Sequence, residues 1–171
     1  MRIGIDVSQV AHEKTGVAQF LEHLVRELVK NKENEYILFF SSLRRKFPLS
    51  ISSKNIKVRR FRFPPTFLDL MWNKLHILPI EKLIGPVDVF ITSDWTEPPS
   101  KFPKATIIYD LTVYKTPNET DKKIIDVQKR KLAWVKKESK KIFCISEATK
   151  MDVNEILGID QDKLKVIYPG I

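Results

Sequence analysis

The apolar positions of this chain change period repeatedly, and each change marks an element. Residues 2–7 (RIGIDV) have the length and apolar content of a strand and lead into a polar loop at 8–16. Beyond it Val17, Phe20, Leu21, Leu24, Val25, Leu28 and Val29 recur at helical spacing, with Gln19, Glu22, Arg26, Glu27 and Lys30 on the opposite face, so an amphipathic helix is predicted. The continuous run YILFF at 36–40 suits a strand covered on both faces, whereas IKVRRF at 56–61 is polar on one side and reads as an edge strand. Pro64 and Pro65 precede Phe67, Leu68, Met71, Trp72, Leu75 and Leu78, which predict an apolar helix ended by Pro79. Strands are predicted at 87–91 (VDVFI) and 106–109 (TIIY), joined by a loop at 92–104. A helix from about 119 to 139 follows, with Ile124, Ile125, Leu132 and Val135 inward. Its many cations, Lys131 among them, read as a solvated face. A strand at 142–145 (IFCI), a helix N-capped by Ser146 with Glu147 in its first turn and stopped by Gly158, and a strand at 163–167 (KLKVI) complete the pattern.

Strand and helix alternate throughout, which predicts an α/β fold with a doubly wound, mostly parallel sheet and helices on both faces. Ligands of such sheets sit beyond the carboxyl ends of the strands. That rule directs attention to the segments 8–16, 93–99, 109–112 and 146–147.

The composition narrows the class. With 171 residues, 43% hydrophobic and 30% charged, and five glycines against ten prolines, the chain is one globular domain and neither disordered nor fibrous. A lone cysteine, Cys144, excludes an internal disulfide framework and a multi-cysteine zinc site, and is expected to be a core thiol in a reducing compartment. No apolar run reaches the length of a spanning helix and no leader is evident, so a cytoplasmic chain is expected, peripheral to a membrane at most. The net charge of +9 is concentrated: residues 41–62 hold eight Lys/Arg and no Asp/Glu. Arg44, Arg45, Lys46, Arg59, Arg60 and Arg62 are therefore candidates for a surface that meets an anionic lipid leaflet, a phosphorylated acceptor or nucleic acid.

Several residues carry candidate chemistry. The loop at 8–16 lacks a dinucleotide fingerprint, but Thr15, Gly16 and Val17 open a helix and offer amides to a phosphate, or else Gly16 is a simple turn residue. Asp94, Trp95 and Glu97 follow one strand and Asp110 another; carboxylates at strand ends act as bases or grip sugar hydroxyls, and an indole offers its face to a pyranose ring, while the alternative is turn capping and groove filling. His12 lies in a strand-end loop and is a candidate ligand contact. His12, His23 and His76 are too scattered for a metal site, so none is expected. Ser146 lacks a nucleophile-elbow context and reads as a cap.

In order, RIGIDVSQVAHEKTGVAQFLEHLVREL, LMWNKLHILP, DVFITSDWTEPPSKFPKATIIYDLTVYKTPNET and KKIFCISEATKMDVNEILGIDQDKLKVIYPGI resemble the amino-terminal half of a family-4 glycosyltransferase of the GT-B fold. The closing I-S-E and K-V-I-Y-P-G-I are the most specific pieces. The resemblance implies a Rossmann-like domain that binds the acceptor, with His12, Asp94, Trp95, Glu97 and Tyr109 on the acceptor side and the amides of Thr15, Gly16 and Val17 toward the donor diphosphate. Tyr109, Asp110 and Leu111 correspond to the family's His-Asp-Leu segment, which gives Asp110 a catalytic position and puts tyrosine where histidine is usual. It further implies retention, no cofactor beyond the nucleotide-sugar, a sugar or lipid-linked acceptor, and a carboxy-terminal donor domain as partner beyond residue 171, without which this half is expected to be inactive. The competing expectation is a basic nucleic-acid-binding or regulatory α/β module. Phe47, Phe61 and Phe63 are too few for a stacking platform, which makes nucleic acid the less favoured partner.

Overall fold

Seven parallel strands form one sheet in the computed structural model, which describes residues 1–51, 53–92 and 94–169. They are β1 (Arg2–Asp6), β2 (Glu35–Ser41), β3 (Ile56–Phe61), β4 (Val89–Thr92), β5 (Lys104–Ile108), β6 (Ser139–Cys144) and β7 (Leu164–Val166). Their order is β3-β2-β1-β4-β5-β6-β7. The helices are α1 (Gly16–Leu28), α2 (Pro65–Leu68), α3 (Glu81–Ile84), α4 (Thr112–Lys115), α5 (Lys122–Glu138) and α6 (Glu147–Leu157).

Alternation along each strand feeds two layers. On one face Leu21 and Val25 of α1 pack against Ile5, Val7, Leu38 and Phe40. On the other, Trp72, Ile80 and Ile84 cover Ile37, Phe39 and Phe90, while Leu132 and Val135 of α5 and Val153 and Leu157 of α6 cover Ile108, Ile142 and Cys144. The run at 36–40 is continuous because β2 is buried on both faces, and β3 is the edge strand its polarity predicts. Burial pushes the Cys144 thiol up to about 11, so it is an inert core group. Among the described residues no helix is long and apolar enough to cross a membrane.

Gly4 sits in the middle of β1, where a Cβ would lie 2.7 Å from Cδ2 of Phe90 and 3.0 Å from Cδ1 of Ile84. Phe90 is fully buried and has no room to turn aside. Gly4→Ala is expected to cost about 1–3 kcal/mol by overpacking, measurable as a lower urea midpoint.

Two helices depart from the sequence pattern. The predicted helix at 67–78 is α2 followed by a π-helix at Asp69–Lys74, after which the chain leaves helical geometry. His76 and Leu78 take positive φ values of 50° and 65°. The Trp72 indole N–H donates to the Leu78 carbonyl at 3.0 Å, and Asn73 turns inward to donate to Asp69 Oδ1 and to the Trp95 carbonyl, each at 3.0 Å. These bonds reward the wider turn, and Leu75 is left more than half exposed. The helix expected from 119 begins at Lys122, because Asp121 caps it by accepting the Lys123 N–H at 2.7 Å. Within it two assignments reverse: Ile124 is exposed, and Lys131, read as solvated, is 2% exposed.

A candidate functional site at the strand tips

The chain winds from β1 through β2 to β3 on one side and resumes with β4 on the other, so the carboxyl ends of β1 and β4 flank a topological switch point. A crevice of about 450 Å³ opens there. Asp6, the last residue of β1, is nearly buried at its base, and its Oδ1 accepts the Ser8 N–H at 2.9 Å. One wall is stitched by serines: Ser8 Oγ accepts the Ser41 N–H at 3.0 Å, and Ser41 Oγ both accepts the Phe63 N–H and donates to the Phe63 carbonyl, each at 3.1 Å. The opposite wall carries Asp94, Trp95 and Thr96, with His12, Thr15 and Val17 toward solvent.

A second hollow, about 740 Å³, shares Thr15 and Val17 with the first. The first turn of α1 is therefore the partition between them. The hollow also takes in Gly16, Phe20, His23, Tyr109 and Asp110. Thr15 caps α1 by accepting the Ala18 N–H at 3.2 Å, while the amides of Gly16 and Val17 have no intrahelical carbonyl to meet. Nothing lies within 4 Å of where a Gly16 side chain would begin, so the turn is open to the hollow at Gly16. Asp110 is exposed and pinned by the Thr112 N–H, which donates to its Oδ1 at 2.9 Å. The Tyr109 ring meets Phe20 edge-on at 5.5 Å.

Behind the crevice lies a buried ionic cluster. Burial drives the Lys131 ammonium below its ordinary value, with Glu97, Asp94 and Asp6 opposing that shift. Its one hydrogen bond among the described residues runs to Thr106 Oγ1 at 3.4 Å. Burial also raises the carboxyl groups of Asp6 and Asp94, against the pull of Lys131. Lys104, equally buried, lies 2.6 Å from Glu138 Oε2 and 3.0 Å from Glu97 Oε1. Glu138 Oε1 lies 2.9 Å from His76 Nε2, and the His76 ring stacks on Trp134 at 3.5 Å.

The fold thus brings His12, Asp94 and Trp95 together in the crevice, and Gly16, Tyr109 and Asp110 in the hollow beside it, with Thr15 and Val17 common to both. Three expected positions fall elsewhere. Glu97 is fully buried, accepts the Thr92 hydroxyl at 2.6 Å and sits by Lys104; two buried ammonium groups draw it inward, and it lines neither cavity. Ser146 is the α6 cap that the sequence predicts, accepting the Thr149 N–H at 3.0 Å, but neither it nor Glu147, exposed beside Lys150, lines either cavity. Ser93, and Gly170 and Ile171 of the closing motif, lie outside the described residues. Asp6, Ser8 and Lys131 are additions; the signal available for Asp6 is an acidic residue ending an apolar strand. Among the described residues there is no group of three metal-ligating side chains.

A parallel doubly wound sheet with two adjoining cavities at its strand tips defines a Rossmann-like domain. The chain matches the family Glycosyltransferase Family 4 over residues 14–171 and belongs to that family. No curated protein matches it. Among solved structures it is similar to the UDP-GlcNAc 2-epimerase from Methanocaldococcus jannaschii, with a TM-score of 0.56 and 14% identity over 98% of this chain. The match spans 45% of the epimerase chain, and at that identity it speaks to the fold alone.

Proposed function

We propose that this chain is the acceptor-side half of a retaining, nucleotide-sugar-dependent glycosyltransferase. The observation that carries the reading is a juxtaposition within a Glycosyltransferase Family 4 chain. Asp110 and the open turn at Gly16 share one hollow, the crevice with Asp94, Trp95 and His12 adjoins it, and a single helical turn lies between.

In this reading the donor diphosphate lies over the Gly16 and Val17 amides, where the positive end of α1 meets its charge. The sugar being transferred reaches Asp110, whose Oδ1 is held by Thr112 and whose second oxygen accepts a hydroxyl of the sugar. The acceptor enters from the crevice, its hydroxyls donating to Asp94 and Asp6 and a ring face resting on Trp95. Both reactants are thus aligned across one turn of backbone, which is how such a site lowers a barrier without a covalent step of its own. No metal is required, because charge on the leaving diphosphate is met by helix amides and by cations of a second domain facing these hollows. That domain supplies most of the donor contacts, so this half alone is inactive.

The test is transfer by the enzyme that pairs this chain with its donor-binding domain. Asp110→Asn is expected to lower turnover about a hundredfold with little change in folding stability. Unchanged turnover in that variant, or turnover by residues 1–171 alone given a nucleotide-sugar, overturns the reading.

A further inference from the structure

We infer that the acceptor is a phosphate ester: a hydroxylated ring sits between Asp6 and Asp94, and its phosphate lies on the β2–β3 side of the crevice, held by Arg44 and Arg62. The inference rests on the acceptor-side reading above and adds to it the chemical class of the acceptor.

The polarity of the crevice carries the argument. Asp6 at its base and Asp94 on its wall are carboxyl groups, which disfavour a phosphate beside them and attract hydroxyl donors. Its wall ends in Leu43 on one segment and Phe63 on the other, and the next residues in the chain are Arg44 and Arg62, both exposed. The two Ser41–Phe63 hydrogen bonds hold these segments side by side. Arg45 anchors the first of them at the crevice, its guanidinium donating to the Ala11 carbonyl at 2.7 Å. Among the described residues no carboxylate pairs with Arg44 or Arg62, while the Lys57 cation beyond them is matched by Glu35. A concentrated, unneutralised set of guanidinium groups destabilises a fold by self-repulsion and fits the planar, bidentate recognition of phosphate.

The aromatic residues among these cations separate a phosphate ester from a nucleic-acid strand. Phe61 is stacked between Phe39 and Phe63 at 5.3 and 5.4 Å, and Phe47 lies edge-on to Phe40 beneath the Arg60 guanidinium. Each is engaged in packing, so bases have no free platform here. The phosphate ester has two sources, a soluble sugar phosphate or the headgroup of a lipid.

Both are resolved by titrating the isotope-labelled chain with D-glucose, D-glucose 6-phosphate, and vesicles with and without phosphatidylglycerol. Glucose 6-phosphate is expected to bind about tenfold or more tightly than glucose, shifting the signals of Arg44, Arg62 and Asp94 together. The double variant Arg44→Ala/Arg62→Ala loses that advantage, while Lys136→Ala/Lys140→Ala at the far end of the domain stays within about twofold of the parent. If phosphatidylglycerol vesicles, and not glucose 6-phosphate, show the Arg44 and Arg62 dependence, the inference stands with the phosphate assigned to a lipid. Equal binding of glucose and glucose 6-phosphate with no vesicle dependence overturns it, as does equal loss in the lysine variant, or a random DNA duplex competing better than either phosphate probe. Such a failure alongside an inactive Asp110→Asn enzyme removes the phosphate and leaves the acceptor-side reading intact.

Discussion

Lys131→Met destabilises the fold by about 3–5 kcal/mol near neutral pH and by much less in acid. Lys131 is the buried cation facing Asp6 of β1, Asp94 and Glu97 of the loop after β4, and Lys104 and Thr106 of β5. Methionine nearly preserves its volume and removes the ammonium, stranding carboxylates that burial already penalises. The pH dependence has a definite sign. Asp6 and Asp94 have folded values above the ordinary 3.8, so they favour the fold when protonated, and that advantage is lost as pH rises through their raised values. Removing Lys131 lifts both values further, so the gap between parent and variant widens from acid toward neutral pH. Methionine also relieves the desolvation that holds Lys131 below its ordinary value, which limits the total. Urea unfolding at about pH 5 and pH 8 measures the gap; a variant as stable as the parent at the higher pH, or a gap that does not change, refutes the account of the cluster.

Trp72→Ala costs about 3–5 kcal/mol, and Trp72→Phe about 1–2 kcal/mol. The indole is fully buried in the π-helix, 5.4 Å from the Phe39 ring, and its N–H is the bond that catches the Leu78 carbonyl in a backbone turn at positive φ. Alanine removes both packing and tether; phenylalanine fills most of the space and forfeits the tether. Because Asn73, the next residue, donates its side-chain N–H to the Trp95 carbonyl and accepts the Glu97 N–H on its side-chain oxygen, each at 3.0 Å, loosening the π-helix also loosens one wall of the crevice. Thermal unfolding reads the first effect, and a loss below about 1 kcal/mol for Trp72→Ala contradicts it.

The parts of this fold legible in the sequence are those in which one period dominates. The stripe from Val17 to Leu28 makes α1, the apolar run of β2 is buried on both faces, and the cationic 56–61 strand lies at the edge. The π-helix was hidden because Phe67, Leu68, Met71, Trp72, Leu75 and Leu78 fit an ordinary helix; what widens the turn is the pull of Trp72 and Asn73 on distant carbonyls, and these bonds exist only after folding. Lys131 was hidden in a run of cations, although it occupies the same inward stripe as Leu132 and Val135. Asp94, Trp95 and Asp110 were legible as strand-end residues. Asp6 ends an apolar strand in the same way, but its place at the base of the crevice depends on β1 lying beside β4, a neighbourhood fixed by the order of the whole sheet.

Among the described residues that same order leaves two open borders, β3 and β7. An unpaired strand invites another chain to extend the sheet, and this one discourages the invitation twice: β7 is only three residues long, and β3 presents Arg59 and Arg60 to any approaching copy. Dispersal of the protein in concentrated solution is thereby tied to ionic strength, since added salt screens the guanidinium repulsion that keeps identical borders apart.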